Sequence, residues 1–212
     1  ILASLTFGKH VYPDNIYTEG IRNITLEDVA YAFAWGGVIK LIGSVKMLDD
    51  GRIDIFVAPM FINSQSQLAG VDDVFNGIMV RGDATGDVVF YGKGAGKLPT
   101  ASAVVADIID CIKHLKARKY LYWADGADDY VLPWEQSVTS MFIRAFADNT
   151  EKALAYAKNI FGAVTPLARN HAVNGELAFI TPEKTVGAIL ADIDNLQSKG
   201  VKVASKIRIG DL

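Results

Sequence analysis

The chain has 212 residues, half of them hydrophobic and 21% charged, with a formal net charge of -3 and a pI near 5.6. That is enough chain for one large or two small domains, and the composition excludes a disordered class. The acidic balance gives no basic footprint for nucleic acid, no apolar run reaches the roughly 18 residues that span a membrane, and the single Cys111 excludes an internal disulfide, so a cytoplasmic location is expected.

Ile1, Leu2, Leu5 and Phe7, with small Ala3 and Ser4 between them, read as the last turns of a buried helix ended by Gly8. The chain therefore opens in the middle of an element, and a segment upstream is expected. Pro13 and Asp14 make a turn, and Ile16, Tyr17, Thr18 and Ile21 form a short strand-like stretch closed by Glu19 and Gly20. Thr25 is a good N-cap with Asp28 three residues on. Val29, Ala30, Phe33 and Ala34 then give a helical stripe that stops at Gly36 and Gly37.

Val38 to Met47 alternates, Asp49, Asp50 and Gly51 turn, and Ile53, Ile55, Val57 and Pro59 alternate on the way back, which predicts a β-hairpin. Val74 to Arg81 and Asp87 to Tyr91 predict a second hairpin through Gly82, Asp83 and Gly86. Four strands with helices against one face make an α+β layer. Lys40 interrupts an apolar strand, but Ser44 and Lys46 share its face, so its stem packs while its ammonium reaches water. Asp83 and Asp87 sit where a turn wants them.

Three glycines, Gly92, Gly94 and Gly96, fall within five residues before Leu98, Pro99 and Thr100, and small Ala101, Ser102, Ala103 and Ala106 follow. Such a loop lets backbone approach a cofactor closely, with Pro99 suited to a first helical turn. A complete dinucleotide fingerprint would place an acidic residue about 20 positions further on, where this chain has a lysine-rich helix end from Lys113 to Lys119. Those cations complement the helix dipole. Cys111 and His114 share an i, i+3 spacing, but zinc needs three or four ligands and His10 and His171 stand apart, so no metal site is expected.

Tyr120 to Pro133 reads as an aromatic and acidic connector. After it come strand 138–146, helix 150–161, strands 164–169 and 176–180, helix 185–197 and strand 201–209. The order is βαββαβ, the ferredoxin-like arrangement.

The string Gly82 to Asp110, G-D-A-T-G-D-V-V-F-Y-G-K-G-A-G-K-L-P-T-A-S-A-V-V-A-D-I-I-D, closely resembles the signature region of homoserine dehydrogenases. Ile1 to Gly8, Tyr17 to Ile21 and Val38 to Gly43 resemble the same family, in the right order. The remainder is similar to the small regulatory ACT module that many of these enzymes carry. The resemblance implies a substrate and dimerisation domain at 1–119, a connector at 120–136 and an ACT-like domain at 137–212.

It also implies NAD(P)-dependent interconversion of L-homoserine and L-aspartate 4-semialdehyde, on the route to threonine, methionine and isoleucine, by a homodimer. Gly94, Ala95, Gly96 and Thr100 correspond to the loop and helix start that approach the nicotinamide half of NAD or NADP. The family's dinucleotide-binding domain and its catalytic lysine belong before Ile1, so no catalytic residue is expected here and the 212 residues alone are expected to be inactive. In ACT modules an acidic-x-Pro-Gly turn binds an amino-acid effector. Here Asp148 and Asn149 stand at that turn without the Pro and Gly, and structural dimerisation stands beside effector binding. The alternative is a non-enzymatic amino-acid-sensing or dimerisation subunit.

Overall fold

The structure, a computed structural model, describes residues 1–117 and 122–210. Arg118 and Lys119 of the expected basic helix end, Tyr120 and Leu121 of the expected connector, and Asp211 and Leu212 lie outside the described residues. The chain forms two compact units, one made of Ile1–Ser64 with Trp123–Asp211, the other of Gln65–Tyr122.

In the first unit, α1 (Leu2–Phe7) ends at Gly8, whose φ of 70° is left-handed and which donates its N–H to the Ser4 carbonyl. A two-residue strand, β1 (Tyr17–Thr18), precedes α2 (Leu26–Trp35). The cap foreseen for α2 is complete: Thr25 Oγ1 accepts the Asp28 N–H, and the Asp28 carboxylate accepts the Thr25 N–H at 3.0 Å. β2 (Gly37–Met47) pairs antiparallel with β3 (Ile53–Asn63), from Gly37 opposite Asn63 to Met47 opposite Ile53.

The second unit holds a hairpin, β4 (Phe75–Gly82) and β5 (Gly86–Lys93), followed by α3 (Lys97–Lys113). The helix starts two residues before Pro99. The four strands expected in one layer fall into two sheets, because among the described residues β4 and β5 pair only with each other. The edge of β3 away from β2 is occupied instead by strands far off in the sequence.

Back in the first unit come β6 (Val138–Phe146), α4 (Thr150–Phe161), β7 (Thr165–Leu167), β8 (Glu176–Ile180), β9 (Lys184–Thr185), α5 (Val186–Ser198) and β10 (Lys202–Ile209). The βαββαβ order is present, with the two-residue β9 added against β6. The sheet runs β1-β3-β10-β6-β8-β7, with β2 on the other edge of β3. β1 and β10 both lie parallel to β3, Tyr17 opposite Phe56 and Arg208 opposite Met60, while the rest of the sheet is antiparallel. A single sheet thus crosses the boundary expected near residues 120–136.

Strands β6 and β8 are apolar on both faces, and each face finds a helix. Met141, Ile143, Ala145, Leu177 and Phe179 pack against α4 and α5. Between them Phe142 and Ala178 turn the other way, onto Tyr31 and Ala32 of α2 and onto Phe61. Strands rich in apolar residues on both faces must be covered twice, and here α4 with α5 covers one face and α2 with Phe61 the other. Phe61 and Phe142 stack with centroids 4.6 Å apart.

Candidate functional site

The glycine loop joins β5 to α3 inside the second unit. Gly94 donates its N–H to the Val74 carbonyl at 3.2 Å, and a Cβ at Gly94 would collide with the Asn76 side-chain amide. Gly96 sits at φ 120° and ψ 155°, a backbone that side chains other than glycine's resist, and it caps α3 with no side-chain hydrogen bond. Thr100 donates its N–H to the Gly96 carbonyl at 3.1 Å, which closes the first helical turn. Lys97 and Leu98 carry N–H groups for which a helix has no internal acceptor, and the next residue, Pro99, has none.

Gly94, Ala95, Gly96 and Thr100, the positions that correspond to the family's loop, are all exposed. Bare backbone, a glycine-only φ and the N–H groups of a helix start, beside Lys93 and Lys97, make a surface that an electron-rich group can approach closely. The helix that follows is exposed along its length: Leu98, Val104, Val105, Ile108 and Ile112 all face outward.

Asp148 and Asn149 are in the other unit, between β6 and α4. Asn149 is the N-cap of α4, its Oδ1 accepting the Lys152 N–H at 2.9 Å, so its side chain is occupied by the helix. Asp148 lines an open hollow of about 440 Å³ with Asn174, Gly175 and Lys202 among its neighbours. Asp87 meets Arg81 directly across the second hairpin at 2.7 and 3.0 Å, and this hydrogen-bonded guanidinium holds the Asp87 carboxyl below its usual range. Cys111 and His114 are exposed, His114 Nδ1 lies 2.9 Å from the Asp110 carboxylate, and among the described residues no group of three or more such side chains could hold a metal ion.

Sequence reasoning missed the buried charges. Arg144 Nε donates to Asp28 Oδ1 at 2.9 Å and its Nη2 to Thr25 Oγ1 at 3.1 Å, while Arg169 grips Glu176 with bonds of 3.1 and 2.7 Å. Both carboxylate side chains are fully buried. The available signal was an arginine inside the apolar run Met141–Phe146 and a glutamate heading the apolar strand 176–180. A charge in such a place requires a partner.

A family model described as homoserine dehydrogenase matches residues 1–109. A homoserine dehydrogenase of Helicobacter pylori is 32% identical over 209 residues, covering 93% of this chain and 49% of that protein. One from Pseudomonas aeruginosa is 36% identical over 167 residues, 76% of this chain and 38% of its own length. Among solved structures, a homoserine dehydrogenase from Thiobacillus denitrificans superposes with a TM-score of 0.85 at 31% identity, over 99% of this chain and 51% of that one. The Staphylococcus aureus homoserine dehydrogenase at pH 6.0 gives 0.74 at 25% identity, over 100% and 51%. This chain spans about half the length of the Helicobacter, Thiobacillus and Staphylococcus proteins, and its α+β architecture is that of the solved ones. Since the match covers more than half of its residues and carries the glycine loop with it, the chain belongs to the homoserine dehydrogenase family.

Proposed function

We propose that this chain supplies the substrate and dimerisation part, residues 1–119, and an ACT-like part, residues 137–212, of an NAD(P)-dependent enzyme that interconverts L-homoserine and L-aspartate 4-semialdehyde. The observation that carries this reading is the loop Gly94–Gly96, shaped as a backbone surface at the start of α3 within the stretch that matches the family. When bound, the nicotinamide supplies hydride acceptance and donation. The chain's own share is positional. Gly94 and Gly96 keep side-chain atoms out of the approach, Ala95 adds only a methyl group, and Thr100 ties the loop into α3 through its backbone bond to Gly96.

The 212 residues span about half the length of these relatives, and the family pattern's proton-handling lysine and most of its dinucleotide bed are not among the matched positions. The 212 residues alone therefore bind homoserine and cofactor incompletely and do not turn over. Residues 17–90 pair two copies into a homodimer, and Asp148 with Asn149 marks where an amino-acid effector would bind. The parent enzyme works in the cytoplasm; among the described residues no helix is long and apolar enough to cross a membrane.

The test is homoserine-dependent reduction of NAD and NADP, followed by absorbance, for this chain alone and for this chain fused behind the N-terminal half of the Thiobacillus denitrificans relative. The chain alone gives no rate and the fusion does. Gly96→Val in the fusion, which forces a side chain onto the positive φ at a cost of about 1–3 kcal/mol, lowers kcat/KM at least about tenfold. A fusion that folds yet shows no homoserine-dependent rate removes the proposal.

A further inference from the structure

Three arginines of the first unit are withdrawn from water, and they are not treated alike. Arg144 and Arg169 each have a carboxylate at 2.9 and 2.7 Å. Arg208, only 5% exposed, has none among the described residues. Its Nη1 donates to the Ser137 hydroxyl at 3.4 Å, and its Nη2 is buried with no hydrogen-bond partner among the described residues. The guanidinium lies 4.3 Å from the Phe56 ring centroid and 5.8 Å from that of Tyr17, so aromatic faces hold its plane and leave its edge to be satisfied.

The acids whose charge acts on it, Asp54 and Glu19, do not close that gap. Asp54 is bonded by Ser137 Oγ at 2.7 Å, so its charge reaches Arg208 across a hydroxyl, and Glu19 accepts the Tyr17 hydroxyl at 3.0 Å. Both act on Arg208 through space, while burial, the larger influence, pulls its pKa below the ordinary arginine range. A buried cation without a direct counter-charge is costly, as the pairing of the other two arginines illustrates.

Beside this residue the fold leaves room. A cavity of about 40 Å³ is lined by Arg208, Lys206, Glu19, Trp134, Val186 and Leu190 among others. A single water needs roughly 10–15 Å³, so the space takes a molecule of a few heavy atoms. Its walls divide by chemistry. Trp134, Val186 and Leu190 are apolar; Arg208 and Lys206 are cationic; Glu19 is the one acid among them.

We propose that this cavity between β1, β10 and α5 binds a small carboxylate, whose oxygens accept from the Arg208 guanidinium and whose short carbon chain rests on Leu190 and Val186. Arginine matches a carboxylate with two parallel N–H donors, which a halide cannot use. Lys206, exposed at the rim, adds attraction. Glu19 gives the site a second possibility, because a ligand that also carries an ammonium can place it there. The site is independent of the reading of the glycine loop, which lies in the other unit.

Isothermal titration calorimetry decides the matter. The chain is titrated with acetate and propionate, with glycine and alanine, and with chloride and phosphate. A saturable heat for at least one carboxylate, absent for chloride and phosphate, is the expected result. Tighter binding of glycine or alanine than of acetate assigns the site to amino acids through Glu19; equal or weaker binding assigns it to simple carboxylates. Arg208→Gln weakens the binding at least tenfold, and Lys206→Glu, an exposed change that leaves the core alone, weakens it about threefold. Circular dichroism shows whether Arg208→Gln is folded, and if it is not, Lys206→Glu carries the test. Failure of every carboxylate to give saturable heat overturns the proposal, as does chloride or phosphate binding as tightly, or Lys206→Glu binding as the unaltered chain does.

Discussion

Asp28, Arg144, Glu176 and Arg169 join α2 to the strands β6 and β8 with two cations and two anions, all withdrawn from water. Arg144 also lies 4.0 Å from Glu176, so the two pairs touch. Burial, the largest influence on Glu176, pushes its carboxyl up. The Arg169 hydrogen bonds, the Val173 N–H and the fields of Arg169 and Arg144 together outweigh it, and the pKa ends below the ordinary value of 4.5. A carboxyl depressed in the folded state stabilises fully above its unfolded pKa and loses that contribution as pH falls through the folded one. The chain should therefore lose stability as pH drops below about 4.5, and Glu176→Gln should flatten that part of the acid limb in chemical denaturation measured across pH. An unchanged acid limb in the variant would remove Glu176 from the account. Arg144→Met, which leaves Asp28 buried without its cation, should cost about 3–5 kcal/mol near neutral pH.

At the scale of elements, the sequence was most readable where the signal is local. Thr25 and Asp28 stand three apart before an apolar stripe, and the capping box between them is present in every bond. Strand 138–146, helix 150–161 and strand 176–180 also appear with the limits their residues implied. The cap has a second duty that no local pattern carries, since Thr25 Oγ1 also accepts from Arg144, 119 residues away. Thr25→Ala should for that reason cost more than the ~1 kcal/mol of an ordinary cap, about 2 kcal/mol by denaturant titration. A loss of 1 kcal/mol or less would mean that the bond to Arg144 adds nothing. Pro99, suited to a first helical turn, sits in the third position of α3, so its local signal located the helix start within two residues. Its glycine loop was legible because glycine spacing is itself a local pattern. The cavity at Arg208 was not, since it is assembled from residues between 17 and 208.

For the whole molecule, the decisive contact is β10 lying parallel to β3, with Arg208 opposite Met60 and Ile209 opposite Phe61. Periodicity identifies each strand, but it does not say which edge a strand will choose, and this pairing spans nearly 150 residues. It explains why residues 1–64 and 123–211 form one compact unit although 65–122 lie between them. It also bears on whether residues 137–212 are an autonomous ACT-like domain. Separated from the rest, that segment keeps its own core of α4 and α5 against β6 and β8. It loses the opposite cover of Phe142, Ala178 and Ile207 by Tyr31, Ala32 and Phe61, and Arg144 loses both Asp28 and Thr25. The edge of β10 that met β3 becomes open to another chain. Residues 137–212 expressed alone should accordingly melt at a lower temperature than the full chain and associate in size-exclusion chromatography through the uncovered face. A monomer that melts as high and as cooperatively as the full chain would show that residues 137–212 are self-sufficient and that β3 merely docks on them.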